Sequence, residues 1–328
     1  MKGPIEDRMR LAQSTETQFE SIWGFYQDSS TRTDSVLETV CRSAPSLDYS
    51  EKPFDDSESP VRHRLWNCQD TEQCKTIQQR MEQLKIYIAD GHHRYHTMLA
   101  LRNEKRKRKK CTDTGPWEYI LMWLVNASSN DITILPYHRM IHSVDPARLQ
   151  ALMSYLERYF TIKSFPDLNL DGVSRLRDEW LRELRASGEK THAFGVTLSG
   201  GNGLFTVALK NDEAYLREVE QLQAPYHSDA WKLLDVNILN NLVLRNGLGI
   251  TEKHLSEQTN VTYTHRAGEA FERVGKGEMQ MAFFLNPTKL EQVITLSQNG
   301  EVLPRKSTFF YPKPVSGLAF YPMGDTPL

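Results

Sequence analysis

Cysteine is scarce in this chain, and long apolar runs are missing. Its 328 residues include four cysteines, Cys41, Cys68, Cys74 and Cys111, with no Cys-x-x-Cys spacing, which argues against a zinc ribbon or a disulfide framework. No stretch approaches the ~20 apolar residues that a membrane-spanning helix needs. The opening MKGPIEDRMRLAQ lacks the apolar centre of a secretory signal, so a cytoplasmic protein is expected. Excess charge is missing too, since 40 Lys+Arg against 42 Asp+Glu leave −2. There is no Walker loop, no Gly-x-Ser-x-Gly, no Gly-x-Gly-x-x-Gly and no internal repeat, so the common nucleotide and hydrolase signatures are absent. What is present is a core-forming composition: 13 Phe, 13 Tyr and 6 Trp are spread along the chain, which excludes a disordered polymer. The length suits two or three domains.

The hydrophobic periods predict a helix from Glu6 to about Gln18, a strand in SIWGFYQ, and a surface loop over the Ser-, Asp- and Pro-rich stretch 43–60. VRHRLWNC reads as a half-buried strand, 70–84 as a helix, and KIYIAD (85–90) as a strand that runs through Asp-Gly into another helix. EYILMWLVNA (118–127) is apolar enough for a fully buried strand, and ITILPYHRMIH (132–142) for one bent at Pro136. Beyond Pro146 come two amphipathic helices and a hairpin closed by Gly-Gly-Asn-Gly. A single helix follows over 231–250, capped at Gly247, then a strand in MQMAFFLNP, a helix ended by Gly300 and a loop-like tail. Strands and helices mix without regular βαβ alternation, so the expected class is α+β with a mixed sheet. Residues 1–145 would form the core, 146–225 an inserted helix-hairpin subdomain, and 226–328 a part returning to the core.

The densest chemical signal is Asp90-Gly91-His92-His93-Arg94-Tyr95, where strand gives way to helix. Backbone amides at a helix start lack intrahelical partners and attract anions. Gly91 permits close backbone approach, Arg94 offers a planar fork matched to phosphate oxygens, and His93 another donor. The blander alternative is that Asp90 only caps the helix. His92 and His96 have the spacing of two zinc ligands, but no Glu follows His92 and Arg94 would repel a cation, so no metal site is expected there. The same holds for His138 and His142. The basic run Lys105 to Lys110 fits a solvated helix end better than a nucleic-acid surface, because no aromatics interleave it. In the tail, Arg305, Lys306, Ser307, Thr308 and Lys313 gather cations and hydroxyls as loops over anionic ligands do.

IADGHHRYHTMLALR, ILPYHRMIH, KSTFFYPKPVSGL, GPIEDR, VRHRLW and LDVNILNNLVLRNGLGI together resemble the bacterial family catalogued as domain of unknown function 1015. That family looks like a distant relative of the ParB/sulfiredoxin fold, whose members hold nucleotide phosphates on a Gly-x-His-Arg loop. The resemblance implies a phosphate or nucleotide site at Gly91, His93, Arg94 and Tyr95 with Lys306, Ser307, Thr308 and Lys313. It implies catalytic roles for Asp90 and His92, and substrate contacts at Asp7, Arg8, His138 and Arg139. The implied activity is ATP- or ADP-dependent phosphorylation, with Mg²⁺, of a small hydroxyl substrate, free L-serine first; neither nucleic acid nor membrane is an expected partner. The alternative is a non-catalytic nucleotide-binding module of ParB type. In the family the Gly-Pro-x-x-Asp-Arg motif lies well inside the chain, whereas here it occupies residues 3–8. The expectation is therefore that a family N-terminal region, with its acidic catalytic residue, is absent, which would leave an inactive protein as a third reading.

Overall fold

A computed structural model describes residues 2–51, 60–109, 115–129, 131–165, 173–200, 203–222 and 227–324. The protein mixes helix and sheet in two compact units, one of Met1–Thr133 with Pro312–Leu328 and one of Ile134–Tyr311. Among the described residues no helix is long and apolar enough to cross a membrane.

The first unit runs α1 (Lys2–Thr15), β1 (Thr17–Gln18), β2 (Ile22–Tyr26), α2 (Arg32–Val40), β3 (Leu47–Glu51), β4 (Val61–Leu65), α3 (Thr71–Met81), β5 (Tyr87–Asp90), α4 (His92–Lys109) and β6 (Met122–Asn126). The sheet order is β5-β2-β6, with β2 antiparallel to β5 and parallel to β6. All five residues of β2, IWGFY, are buried, as a central strand covered on both faces requires. The fully buried strand expected at 118–127 is shorter, and of its five residues only Asn126 is buried, because it lies at the sheet's edge. Helix α1 packs on α4 around Ala12, Leu101 and Met323, and strand Tyr321–Pro322 pairs with β1.

One local expectation changes here. The loop expected over 43–60 holds β3, paired with β4 from Leu47↔Leu65 to Glu51↔Val61, while residues 52–59 lie outside the described residues. Cross-strand pairing overrides the loop-like composition: Arg62 grips Asp48 with Nε–Oδ1 at 2.7 Å and Nη2–Oδ2 at 2.5 Å. The start of α3 is fixed by Asp70, whose carboxylate accepts from the Glu72 and Gln73 amides at 2.9 Å each.

The second unit contributes β7 (Thr133–Leu135), β8 (His138–Ile141), α5 (Pro146–Tyr159), β9 (Phe160–Phe165), α6 (Val173–Gly188), β10 (Ala193–Leu198), β11 (Leu204–Leu209) and α7 (Asp212–Leu222). Short helices α8 (Asp229–Lys232) and α9 (Asp235–Ile238) follow, then a π-helix (Leu239–Gly247), α10 (Glu252–Glu257), β12 (Val261–Thr264), α11 (Ala267–Gly275), β13 (Met281–Leu285), α12 (Leu290–Gln298) and β14 (Phe309–Tyr311). Six antiparallel strands form a sheet in the order β12-β8-β13-β10-β11-β9. Alternate residues serve opposite faces: Ile141, Phe194, Val207 and Phe283 meet α5 and the π-helix, while Met140, Ala193, Ala282 and Phe284 meet α6 and α11. Gly195 leaves room for Trp180, whose ring would stand 2.4 Å from any Cβ there. The single helix expected over 231–250 is broken into three pieces. Its last part widens to a π-coil, in which Leu242, Val243 and Leu244 are all buried.

Candidate functional site

The segment 87–94 is built as the sequence reading requires. Strand β5 ends at Asp90, Gly91 turns at φ +95°, and α4 begins at His92. A side chain at position 91 would be strained by that backbone, and its Cβ would stand 3.0 Å from Arg94 Nε and Nη2. The Tyr95 amide donates to the Gly91 carbonyl at 2.9 Å, closing the first turn. The amides before it belong to the first turn, where a helix offers its N–H groups no intrahelical acceptor. Thr97, buried beneath, donates its hydroxyl to the His93 carbonyl at 2.8 Å and fixes the turn from below.

Around this turn lies a cleft of about 380 Å³ lined by Arg8, Glu20, Asp90, Gly91, His92, His93 and Arg94. Arg94 is half-buried and held between two carboxylates: its Nη1 donates to Glu20, and its Nη2 to Asp90 Oδ2 at 3.4 Å. Lys313 Nζ stands 3.5 Å from the other Asp90 oxygen, and Pro314, Val315 and Ser316 border a smaller recess beside it. Asp90 is thus a bridge between two cations. His92 titrates below the ordinary imidazole range, chiefly because surrounding atoms shield its ring and secondarily because His96 and His93 lie near; Asp90 opposes them. The shift favours the neutral ring, which can accept a proton, although the residue stays exposed to solvent. The Tyr95 ring meets His96 edge-on at 5.8 Å.

A second, mainly apolar hollow of about 130 Å³ adjoins the cleft. Leu11, Phe19, Met98 and Ile120 wall it, and Arg8, Glu20 and Arg94 are common to both. Of the residues expected at the site, Arg8, Asp90, Gly91, His92, His93, Arg94 and Lys313 therefore meet here. Asp7 is exposed on α1. Glu20 was not singled out from the sequence. The signal for it is tertiary: Trp23 of β2 pairs with Asp90 of β5, which carries the residues just before β2 up to the loop.

Lys306, Ser307, Thr308, His138 and Arg139 belong to the second unit. Arg139 is fully buried, donating to the Tyr137 carbonyl and, at 3.0 Å, to the Lys306 carbonyl. Burial lowers it to about 10. His138 accepts the Leu285 amide at 3.3 Å, and burial first, then the Arg139 and His265 charges, lower it to about 3. Ser307 is buried and donates to the Pro304 carbonyl at 2.7 Å, while Lys306 lies 4.7 Å over the Tyr137 ring. In the basic run, Lys105 pairs with Glu16 and lies 5.2 Å over Trp117, and Arg106 forks onto Glu118 at 2.6 and 2.5 Å. The side chains of 108–110 lie outside the described residues. Among the described residues no group of three or more His, Cys, Asp or Glu gathers as a metal site.

A family model described as "Protein of unknown function (DUF1015)" matches residues 1–237. No curated protein matches. Among solved structures, a free serine kinase in complex with AMP is similar at 13% identity and TM-score 0.39, covering 97% of this chain and 85% of that one. A conserved hypothetical protein from Pyrococcus furiosus is similar at 11% identity and TM-score 0.38, covering 95% and 86%. A mutant free serine kinase in complex with ADP is similar at 12% identity and TM-score 0.36, covering 90% and 88%. These are distant likenesses.

Proposed function

The chain belongs to the DUF1015 family, and from that premise we propose that its Gly91-x-His93-Arg94 turn holds the phosphates of a nucleotide for phosphoryl transfer to a small hydroxyl substrate. The observation that carries this reading is the cleft itself, in which a left-handed glycine, a helix start, Arg8 and Arg94 surround one space of about 380 Å³. Helix-start amides and a guanidinium fork are what phosphate oxygens bind best. The adjoining apolar hollow, walled by Leu11, Phe19, Met98 and Ile120, offers a flat ring such as a nucleobase an apolar surface within reach of the same arginines.

Phosphoryl transfer rests on positioning and charge neutralisation more than on covalent chemistry. Arg8, Arg94 and Lys313 supply positive charge, Asp90 anchors two of them, and we assign to His92, whose neutral form its surroundings favour, the proton of an attacking hydroxyl. Asp90 and Glu20, both paired with Arg94 here, would hold Mg²⁺ only once substrate phosphates draw that guanidinium away, the ion completing its shell with water and phosphate oxygens. When bound, that ion would neutralise charge developing between the phosphates. Free L-serine is the first substrate to test, on the family resemblance.

Incubating the full chain with labelled ATP, Mg²⁺ and a panel of free amino acids tests the reading. Phosphoserine, or another phosphorylated hydroxyl amino acid, is the expected product, lost in Arg8→Ala and Arg94→Ala. Saturable ATP or ADP binding with no transfer would make the chain a non-catalytic nucleotide-binding module. No nucleotide binding at all would overturn both.

A further inference from the structure

Outside the cleft, one pair of reactive side chains stands closer together than its sequence spacing requires. Cys68 lies just before α3 and Cys74 in its first turn, and their sulfurs are 3.9 Å apart. We propose that Cys68 and Cys74 are an oxidisable dithiol that closes to an intramolecular disulfide when the protein meets hydrogen peroxide or a small disulfide oxidant. Four cysteines without Cys-x-x-Cys spacing argue against a disulfide framework, but not against a local pair made by a turn.

Three features support it. A disulfide needs ~2.0 Å between sulfurs, so closure asks for a movement of roughly 2 Å, within the reach of a side-chain rotation. The intervening backbone is already held in place, because Asp70 accepts the Glu72 and Gln73 amides at 2.9 Å each. The hydrogen-bond sense also divides the labour. The Cys74 thiol donates toward the Cys68 carbonyl at 3.6 Å and the Cys68 sulfur at 3.9 Å, and the Cys68 thiol toward Gln73 Oε1 at 3.4 Å. The hydrogen bond to Cys68, then burial, raise Cys74 above the ordinary thiol range, and we assign the first attack to Cys68. Both residues are half-buried, open enough for peroxide; Cys41 is exposed, and Cys111 lies outside the described residues.

The chemistry balances in two steps. The Cys68 thiolate attacks one oxygen of peroxide; an S–O bond forms, the O–O bond breaks, and the leaving hydroxide takes a proton to become water. Cys74 then gives up its proton and attacks the Cys68 sulfenic sulfur; the S–S bond forms, the S–O bond breaks and a second water leaves. Two thiols lose two electrons and one peroxide gains them.

The test uses the full chain, treated with equimolar hydrogen peroxide, alkylated on its remaining thiols, digested and mapped by mass. The expected product is a Cys68–Cys74 cross-link two hydrogens lighter than the reduced peptide, reversed by dithiothreitol, with Cys41 alkylated. It should form at least roughly tenfold faster in the folded chain than in urea, because the fold holds the sulfurs together. In Cys74→Ser, a dimedone-reactive sulfenic acid should persist on Cys68. Alkylation of both residues in the oxidised wild type would overturn the proposal. So would a sulfinic acid on Cys68 beside a free Cys74, or equal rates in folded and unfolded chain.

Discussion

Replacing Arg94 by Ala gives the sharpest test of the phosphate cleft, because its effects on binding and on folding separate. In the cleft Arg94 is one of three cations, with Arg8 and Lys313, facing two carboxylates, Glu20 and Asp90. Removing it takes away charge-assisted hydrogen bonds worth about 1.5–3 kcal/mol to a bound phosphate, a roughly ten- to hundredfold loss of nucleotide affinity. It also leaves Glu20 facing the ligand without its guanidinium and Asp90 with Lys313 alone. The cost to folding is small, since the partner side chains are 47% and 46% exposed and such pairs contribute under about 1 kcal/mol, a change of about 2–4 °C in melting. Arg94→Lys should restore only part of the binding, because an ammonium lacks the planar fork. Glu20→Gln should act in the opposite direction. It frees the guanidinium and removes a negative charge, tightening metal-free ADP by roughly two- to fivefold, or about 0.5–1 kcal/mol. Calorimetric titration of ADP in EDTA, with melting curves alongside, reads all four proteins. Equal affinities in wild type, Arg94→Ala and Arg94→Lys would refute the reasoning.

Gly91→Ala should weaken ADP binding while the chain still folds, since φ +95° costs an L-residue roughly 1–2 kcal/mol and the new Cβ crowds Arg94; affinity unchanged in titration would count against the turn's role. In the second unit, His192 Nδ1 meets Asp235 Oδ1 at 2.6 Å, and its Nε2 stands 3.9 Å from Asp212. Burial opposes the charged ring and Lys289 repels it, but the Asp235 hydrogen bond and the two carboxylates outweigh them and raise its pKa. The stability His192 adds is therefore complete below its unfolded value of ~6.5 and lost as pH rises through the higher folded value, so Asp235→Asn should flatten that part of a melting-temperature profile. His138 has the reverse sign, being lowered to about 3: its unfolded form binds a proton below ~6.5 and the folded form does not. Stability should fall between those values by up to about 1.4 kcal/mol per pH unit, and His138→Gln, which keeps an acceptor for the Leu285 amide, should reduce that slope in acid denaturation.

Where a segment's environment is set by its own period, the sequence was readable. The strand expected in SIWGFYQ, the helix ARLQALMSYLERYF and the strands on either side of Gly-Gly-Asn-Gly formed where their patterns placed them. Misreadings fell where a partner decides. LDYSE carries loop-like Asp and Ser, and becomes β3 only because VRHRL lies opposite it with an arginine for Asp48. MWLVN is as apolar as a core strand, yet only one neighbour pairs with it. LNNLVLRNG has the pattern of an ordinary helix, and nothing in its period announces the wider coil that it forms.

The cleft shows the same division within a few residues. The strand, the glycine and the helix start are one continuous segment, so the strand-turn-helix from Asp90 to Arg94 could be recognised from their order alone. What that order could not show is the state of the arginine. Glu20 lies 74 residues from Arg94 in sequence and reaches it because β2 and β5 are neighbours. On the proposed reading, anion binding is an exchange, in which phosphate replaces Glu20 on a guanidinium that already has a carboxylate partner. Affinity is then set by the difference between the two partners, and that difference should shrink with salt, because the cleft is open to solvent. A divalent cation would shift the exchange toward nucleotide by taking up the displaced Glu20 carboxylate, which ties the metal and the arginine to one residue. In Glu20→Gln, ADP affinity should therefore depend less on added Mg²⁺ than in wild type; titrations with and without the ion check it, and an equal Mg²⁺ dependence in both proteins would separate Glu20 from the metal.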